Sequence, residues 1–181
     1  MSVFPKPYAD LVARLRVASG FVLVLAFAWF SLPDFRSLAF GLPVSLLGLL
    51  LRAWATGHLE KNIRLAESGP YAYVRNPLYL GTLLVAAGLA VASRSTGLGA
   101  LFAAVFLCIY LPVIQLEQQH LRSLFPEYAA YAARVPALLP RMTPAGQPRA
   151  FQWALYLKNR EYQAAAGFLA GALFLLWKAL R

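Results

Sequence analysis

Residues 95–116 read STGLGALFAAVFLCIYLPVIQL, a run of 22 residues without a charged side chain. A helix that crosses the bilayer core needs about 20 predominantly apolar residues, so this run predicts a membrane-spanning helix. The composition agrees, because 60% of the 181 residues are hydrophobic and 13% are charged, against about 25% charged residues in soluble globular proteins. A water-soluble monomer does not expose so much apolar surface.

Four further apolar segments approach the same length, and together they predict an all-α, polytopic membrane bundle of about five transmembrane helices. The five segments are residues 17–33, 37–56, 77–93, 96–116 and 162–179. We expect residues 1–181 to form one membrane-embedded domain. Its last part, 151–181, is predicted to be an aromatic interfacial segment and a terminal helix.

Two features within the predicted spans admit more than one interpretation. Arg52, near the end of the second span, either extends its guanidinium to the lipid headgroups or takes part in a site. Gly167 and Gly171 in the last span form a small-xxx-small pattern, which is typical of close helix packing. A homodimer therefore remains open.

The net charge of +10 is distributed mostly between the apolar runs, so we expect the lipid bilayer, and no nucleic acid, as a partner. The N-terminal segment and the loops after the second and fourth spans together carry 13 Lys and Arg residues, with Arg52 counted in the loop that follows it. The other two loops and the C-terminal residues together carry 4. By the positive-inside rule, the N-terminus and the two long basic loops face the cytoplasm. We expect an integral protein of a bacterial inner membrane.

Two stretches in these loops carry residues suited to chemistry. Residues 69–81 read GPYAYVRNPLYLG, in which Arg75 and Asn76 place a guanidinium and an amide directly before a span. A purely structural reading of this stretch is an aromatic belt with a proline turn. Glu117 directly follows the uncharged run and is either an interfacial carboxylate or a site group. A helix is expected to continue from the span through this residue.

Other common constellations are missing from the sequence. The two histidines, His58 and His120, and the single Cys108 do not make a plausible zinc site, so no metal is expected. There is no glycine-rich phosphate loop before a helix and no nucleophile elbow.

The stretch 69–81, paired with EQQHLRSLF at 117–125, Tyr131 and Val135-Pro136, resembles the motifs of the isoprenylcysteine carboxyl methyltransferase and phospholipid N-methyltransferase superfamily. The similarity covers about residues 55–140, which we treat as the catalytic and cofactor-binding core. Members are multi-span membrane enzymes that use S-adenosylmethionine. The resemblance implies a cytoplasmic cofactor pocket between the loop before the third span and the helix after the fourth.

The resemblance also implies roles for individual residues. Arg75, Asn76 and Glu117 would be catalytic, with Glu117 pairing with the cofactor's amino group and Arg75 holding its carboxylate. Gly69, which opens the first motif, and His58, which lies near it in sequence, join the expected cofactor-binding residues. The full cofactor-binding set is His58, Leu65, Gly69, Tyr71, Asn76, Pro77, Tyr79, Glu117 and Gln118.

The chain departs from the family pattern at several positions, one of which is Phe125-Pro126 in place of a Phe-Gly step, with one residue fewer before the tyrosines. Asn76 stands where the family usually has histidine, Gln118 where it often has a second glutamate, and Val113 where carboxyl methyltransferases carry a substrate-binding arginine. The implied function is methyl transfer to a lipidic or hydrophobic acceptor other than a prenylcysteine carboxylate. Two alternatives stay open: a non-catalytic membrane protein that retains the fold, and an NADPH-dependent enzyme like the sterol reductases, whose Arg-x-x-Arg-Asp-Glu run is absent here.

Overall fold

The computed structural model describes residues 4–146 and 148–181, with the backbone alone at Arg16. Within these ranges the chain forms eight α-helices and no β-strand, which confirms the expected all-α class. Residues 1–3 and 147 of the expected domain lie outside the described part. The helices are α1 (Lys6–Phe30), α2 (Phe35–Thr56), α3 (Pro77–Ser93), α4 (Thr96–Val105), α5 (Leu111–Leu124), α6 (Tyr128–Arg134), α7 (Trp153–Lys158) and α8 (Tyr162–Ala179).

The structure supports two or three membrane spans rather than the five expected. The helix α2 and the continuous helix Thr96–Leu124 are long and apolar enough to cross a bilayer. The helix α1 would be a third span if its two parts, which bend by 53°, count as one. The helix α3 has 17 residues, which is short for a span. The helix α8 carries polar residues at both ends, Tyr162-Gln163 and Lys178.

The helix Thr96–Leu124 joins α4 to α5 through a π-helical segment, Phe106–Tyr110. Pro112 has no N–H to offer the carbonyl of Cys108 four residues earlier. The hydroxyl of Tyr8 donates to that carbonyl instead, at 2.7 Å. At 1.5 Å per residue, 29 residues extend about 43 Å, longer than a hydrocarbon core of about 30 Å. The helix therefore continues beyond the span, which confirms the expected extension through Glu117.

The helices α2 and α3 pack with their backbones in contact at glycine. A Cβ added to Gly48 would lie 2.6 Å from the carbonyl oxygen of Gly81, and one added to Gly81 would lie 2.7 Å from that of Gly48. By contrast, a Cβ at Gly167 or Gly171 would meet nothing within 4 Å. The close packing expected from that pattern in the last helix is therefore not found within the described chain.

The segment after α6 runs along the outside of the loop between α2 and α3. The backbone N–H of Ala145 donates to the carbonyl of Ala72 at 2.9 Å, and that of Gln152 donates to the carbonyl of Gly57 at 3.0 Å. This segment holds the loop, which carries most of the expected site residues, against the end of the bundle.

Candidate active site

A cavity of about 820 Å³ lies at one end of the bundle. Its wall is formed by α1, the end of α2, the loop that follows it, and helices α3, α5 and α6. Ligand-binding sites are typically clefts of about 300–1,000 Å³ with mostly apolar walls. The cavity therefore has the size of a site for a small-molecule ligand.

Hydrogen bonds join the two sequence motifs at the edge of this cavity. The hydroxyl of Tyr131 donates to the carbonyl of Tyr71 at 2.8 Å. The side-chain amide of Asn76 donates to the carbonyl of Ala137 at 2.9 Å. The paired groups lie about 60 residues apart in sequence. These two bonds hold the first motif against α6 and the turn that follows it.

The third contact between the motifs crosses from α3 to α5. The hydroxyl of Tyr79 donates to Oε2 of Glu117 at 2.9 Å. The Tyr79 ring also meets the ring of Tyr110 edge to face, with centroids 6.2 Å apart. All three side chains line the cavity. This part of the wall thus presents a carboxylate beside two aromatic rings, an arrangement suited to a cation.

Three buried tyrosines form another part of the wall. Burial raises the pKa values of Tyr71, Tyr128 and Tyr131. Their hydroxyls therefore remain protonated at neutral pH and are available as neutral hydrogen-bond donors.

Seven of the ten expected site residues line this single cavity. They come from the loop after α2, from the first turn of α3 and from α5. The seven are Leu65, Tyr71, Arg75, Asn76, Pro77, Tyr79 and Glu117.

The other three expected residues lie outside the cavity wall. His58 is buried beside the rings of Trp54 and Phe151, and its Nδ1 lies 3.1 Å from the hydroxyl of Ser68. Gly69 has a φ of +59° and packs against the His58 ring. A side chain at Gly69 would be strained and would also clash with that ring.

Gln118 is the third residue outside the wall. It follows Glu117 on the same helix, and successive residues of a helix point about 100° apart. When Glu117 faces the cavity, its neighbour therefore faces elsewhere.

Arg52 is a cavity residue for which the sequence left two interpretations open. Its Nε and Nη2 contact the two carboxylate oxygens of Glu161 at 2.6 and 3.1 Å. Its Nη1 donates to the hydroxyl of Thr82 at 2.6 Å. The side chain of Glu161 is 8% exposed. The guanidinium is thus held inside the protein by a bidentate ion pair and is not extended toward headgroups.

Sequence reasoning assigned no role to several residues that the cavity brings together. A charged residue in an apolar span was the signal for Arg52, and Tyr128 lies between the residues quoted for the second motif. Three residues of α1 had no signal, because they belong to neither motif: Ala13, Val17 and Gly20. Within the described ranges, no group of three His, Cys, Asp or Glu side chains lies close enough to hold a metal ion.

The fold and the cavity define an apolar helical membrane protein with a ligand-sized site where two distant motifs meet. The chain matches the phospholipid methyltransferase family over residues 15–128, and it belongs to that family. The family suggests a methyltransferase that uses S-adenosylmethionine.

Two similar proteins are named as metal-resistance proteins. The chain is 39% identical over 108 residues to the cobalt-zinc-cadmium resistance protein CzcN of Cupriavidus metallidurans, covering 56% of this chain and 50% of that protein. It is 34% identical over 108 residues to the nickel-cobalt-cadmium resistance protein NccN of Alcaligenes xylosoxydans xylosoxydans, covering 56% and 51%. The chain thus spans about half the length of these curated relatives, and neither name describes an enzyme. No solved structure matches the chain significantly.

Proposed function

We propose that this protein is an integral-membrane methyltransferase that uses S-adenosylmethionine to methylate a lipidic or hydrophobic acceptor. The observation that carries the proposal is the single cavity lined by both family motifs, with Glu117, Tyr79 and Arg75 on its wall. Family membership over residues 15–128 supports the reaction class.

The donor groups on the wall fit the cofactor. Glu117 accepts a hydrogen bond from Tyr79 through Oε2, and it offers a negative charge to an ammonium group. Arg75 offers a guanidinium, which suits a carboxylate. The rings of Tyr79 and Tyr110 offer faces to a sulfonium or an adenine. A bound S-adenosylmethionine supplies an activated methyl group on a positively charged sulfur.

The residues of the chain contribute chiefly by binding and alignment. Holding two reactants in a reactive orientation lowers a barrier by about 7–11 kcal/mol. Glu117 would hold the ammonium group of the cofactor's amino-acid portion, and Arg75 would hold its carboxylate. The hydrogen bonds of Asn76 and Tyr131 to backbone carbonyls keep the loop at a fixed distance from α6. Asn76 would act on the reaction through this positioning.

The acceptor is proposed to enter from the bilayer. Part of the cavity wall is apolar and belongs to membrane helices, with Val17 and Gly20 from α1 and Val113 and Leu116 from α5. Val113 offers no charge for an acceptor carboxylate. Such a wall suits a hydrophobic molecule that reaches the methyl group without crossing water. We place this end of the bundle and the N-terminus on the cytoplasmic side of a bacterial inner membrane, where the cofactor is dissolved.

A second candidate is a membrane protein that keeps the family fold without transferring a methyl group. It is favoured by the two similar proteins, whose names refer to metal resistance and not to an enzymatic reaction. Asn76 in place of the family's histidine is in keeping with this candidate.

Cofactor titration of the detergent-purified chain tests these functions. S-adenosylhomocysteine should stabilise the protein by RT ln(1 + [L]/Kd), about 2.7 kcal/mol at a ligand concentration of 100 Kd. Glu117→Ala and Tyr71→Ala should each weaken this binding while leaving membrane insertion intact. Stabilisation by NADPH alone would favour a reductase, and stabilisation by neither ligand would favour the non-catalytic candidate.

A further inference from the structure

Two buried donors on the cavity wall have no acceptor among the described residues. The side chain of Tyr128 is buried, with 2% of the residue exposed, and its hydroxyl donates no hydrogen bond within the described residues. The Nε of Arg75 is likewise buried and forms none within the same part of the chain. Both residues line the cavity described above. Buried polar groups in native proteins are rarely left unsatisfied, so a pair of them calls for an explanation.

Two other polar side chains of the wall, Tyr131 and Arg52, differ from this pair because each has a partner within the chain. The hydroxyl of Tyr131, three residues along α6, donates to a backbone carbonyl at 2.8 Å. The guanidinium of Arg52 is paired with Glu161. No acidic side chain in the described part of the chain forms an ion pair with Arg75. Among the described residues, the buried side-chain donors that no group accepts are the Nε of Arg75 and the hydroxyl of Tyr128.

The two groups act on each other electrostatically. Burial raises the pKa of Tyr128, and Arg75 opposes part of that rise through its positive charge and through a side-chain hydrogen bond to the Tyr128 oxygen. That bond leaves the hydroxyl proton free to be donated. Because the net direction is upward, the Tyr128 hydroxyl keeps its proton and can donate it in a hydrogen bond. Glu117 is close enough to contribute to the same rise. One region of the cavity thus contains a cation with a neutral donor, and a carboxylate lies near them.

We propose that Tyr128 is a further cofactor-binding residue, whose hydroxyl shares with Arg75 the carboxylate of the cofactor's amino-acid portion. This inference rests on the proposed function. An α-amino acid carries a carboxylate and an ammonium group on one carbon. Arg75 and Tyr128 supply donors for the first of these groups, and Glu117 supplies an acceptor for the second. The carboxylate satisfies both orphaned donors with charge-assisted hydrogen bonds.

Two ligands and two matched variants test this subsite. S-adenosylhomocysteine contains the amino-acid portion, and 5′-methylthioadenosine lacks it. Tyr128→Phe removes a hydroxyl that donates no hydrogen bond within the described chain, whereas Tyr131→Phe removes one that donates to the Tyr71 carbonyl. Affinities for both ligands are measured by calorimetric titration of the 181-residue chain in detergent, and thermal stability is measured without ligand.

We expect Tyr128→Phe to weaken binding of S-adenosylhomocysteine by about 10-fold or more. Its affinity for 5′-methylthioadenosine and its stability without ligand should stay at the wild-type level. Arg75→Gln should show the same selectivity with a larger loss, because it removes the charge. Tyr131→Phe should lower the stability and should not discriminate between the two ligands, because its hydroxyl serves the fold.

The outcomes separate this inference from the proposed function. If the wild-type chain binds S-adenosylhomocysteine and Tyr128→Phe binds it equally well, the Tyr128 subsite is wrong and the proposed function stands. Equal losses for both ligands would also overturn the subsite, because they place the hydroxyl away from the carboxylate. If the wild-type chain binds neither ligand, the proposed function fails and takes this inference with it.

Discussion

The α2–α3 pair and the cavity wall contrast in how completely their groups are satisfied. Between α2 and α3 the backbones touch at Gly48 and Gly81, and the Arg52 guanidinium beside them is fully paired. On the cavity wall, Arg75 and Tyr128 have donors that no described residue accepts. The contact at Gly48 and Gly81 has no room for a ligand, and in our proposal a ligand satisfies the two donors on the cavity wall. Substitutions in the two regions should therefore separate folding stability from ligand binding.

The largest effect is expected from breaking the ion pair next to the α2–α3 contact. Glu161→Ala leaves the guanidinium of Arg52 without its carboxylate, and removing one partner of a buried pair costs about 3–5 kcal/mol. Thermal unfolding in detergent measures this loss. The double variant Arg52→Met/Glu161→Leu should recover most of it, because no uncompensated charge remains. A double variant as unstable as Glu161→Ala would contradict the assignment of the loss to the unpaired charge.

The next effect comes from the backbone contact itself. Gly48→Ala places a Cβ against the carbonyl oxygen of Gly81, and overpacking of this kind costs about 1–3 kcal/mol. The matched control is Gly171→Ala in α8, where the added Cβ meets nothing within 4 Å. That control should unfold at the wild-type temperature or slightly above it, because alanine favours a helix more than glycine does. Equal unfolding temperatures for the two variants would show that the α2–α3 contact is looser than described.

Asn76 has both a hydrogen bond that holds the fold and a place on the cavity wall. Its replacement should therefore affect both stability and ligand binding. Asn76→Ala removes the hydrogen bond to the Ala137 carbonyl, which should cost about 1 kcal/mol. Because Asn76 also lines the cavity, S-adenosylhomocysteine should bind this variant more weakly. Gln119→Ala, at an exposed position of α5 outside the cavity wall, is the control for both measurements. A loss of stability with unchanged binding would assign Asn76 to the framework alone.

The smallest effect concerns pH and lies outside both regions. Burial lowers the pKa of His58, and the charge of Arg149 lowers it further. The unfolded chain therefore takes up a proton near pH 6.5 before the folded chain does. Stability should be complete above that pH and should decrease as the pH falls below it. Unfolding temperatures measured from pH 8 to pH 5 test this, and His58→Gln should flatten the decline that the wild type shows.

The sequence predicted the parts of this molecule whose signals are local. The apolar runs predicted helices at residues 77–93 and 162–179, and the helices α3 and α8 begin and end at these residues in the structure. The two motifs gave Tyr71 and Glu117, which lie on the same cavity wall. In these cases a short stretch of residues contains the whole signal, either as a length of apolar residues or as a motif.

Pairings across the chain could not be predicted in the same way. Gly167 and Gly171 have the spacing of a packed helix face but no neighbour, whereas Gly48 and Gly81 touch without any pattern that joins them. Arg52 and Glu161 lie 109 residues apart, so either charge alone gave no sign of its partner. The α1 wall of the cavity was missed for the same reason, because helix packing and not sequence brings it there.

A density map of the chain with S-adenosylhomocysteine bound tests the central claim most directly. We predict that the ligand lies in the cavity between α3, α5 and α6, with its ammonium group on Glu117 and its carboxylate on Arg75 and Tyr128. Ligand density at another place on the protein, with this cavity empty at a saturating concentration, would contradict the account.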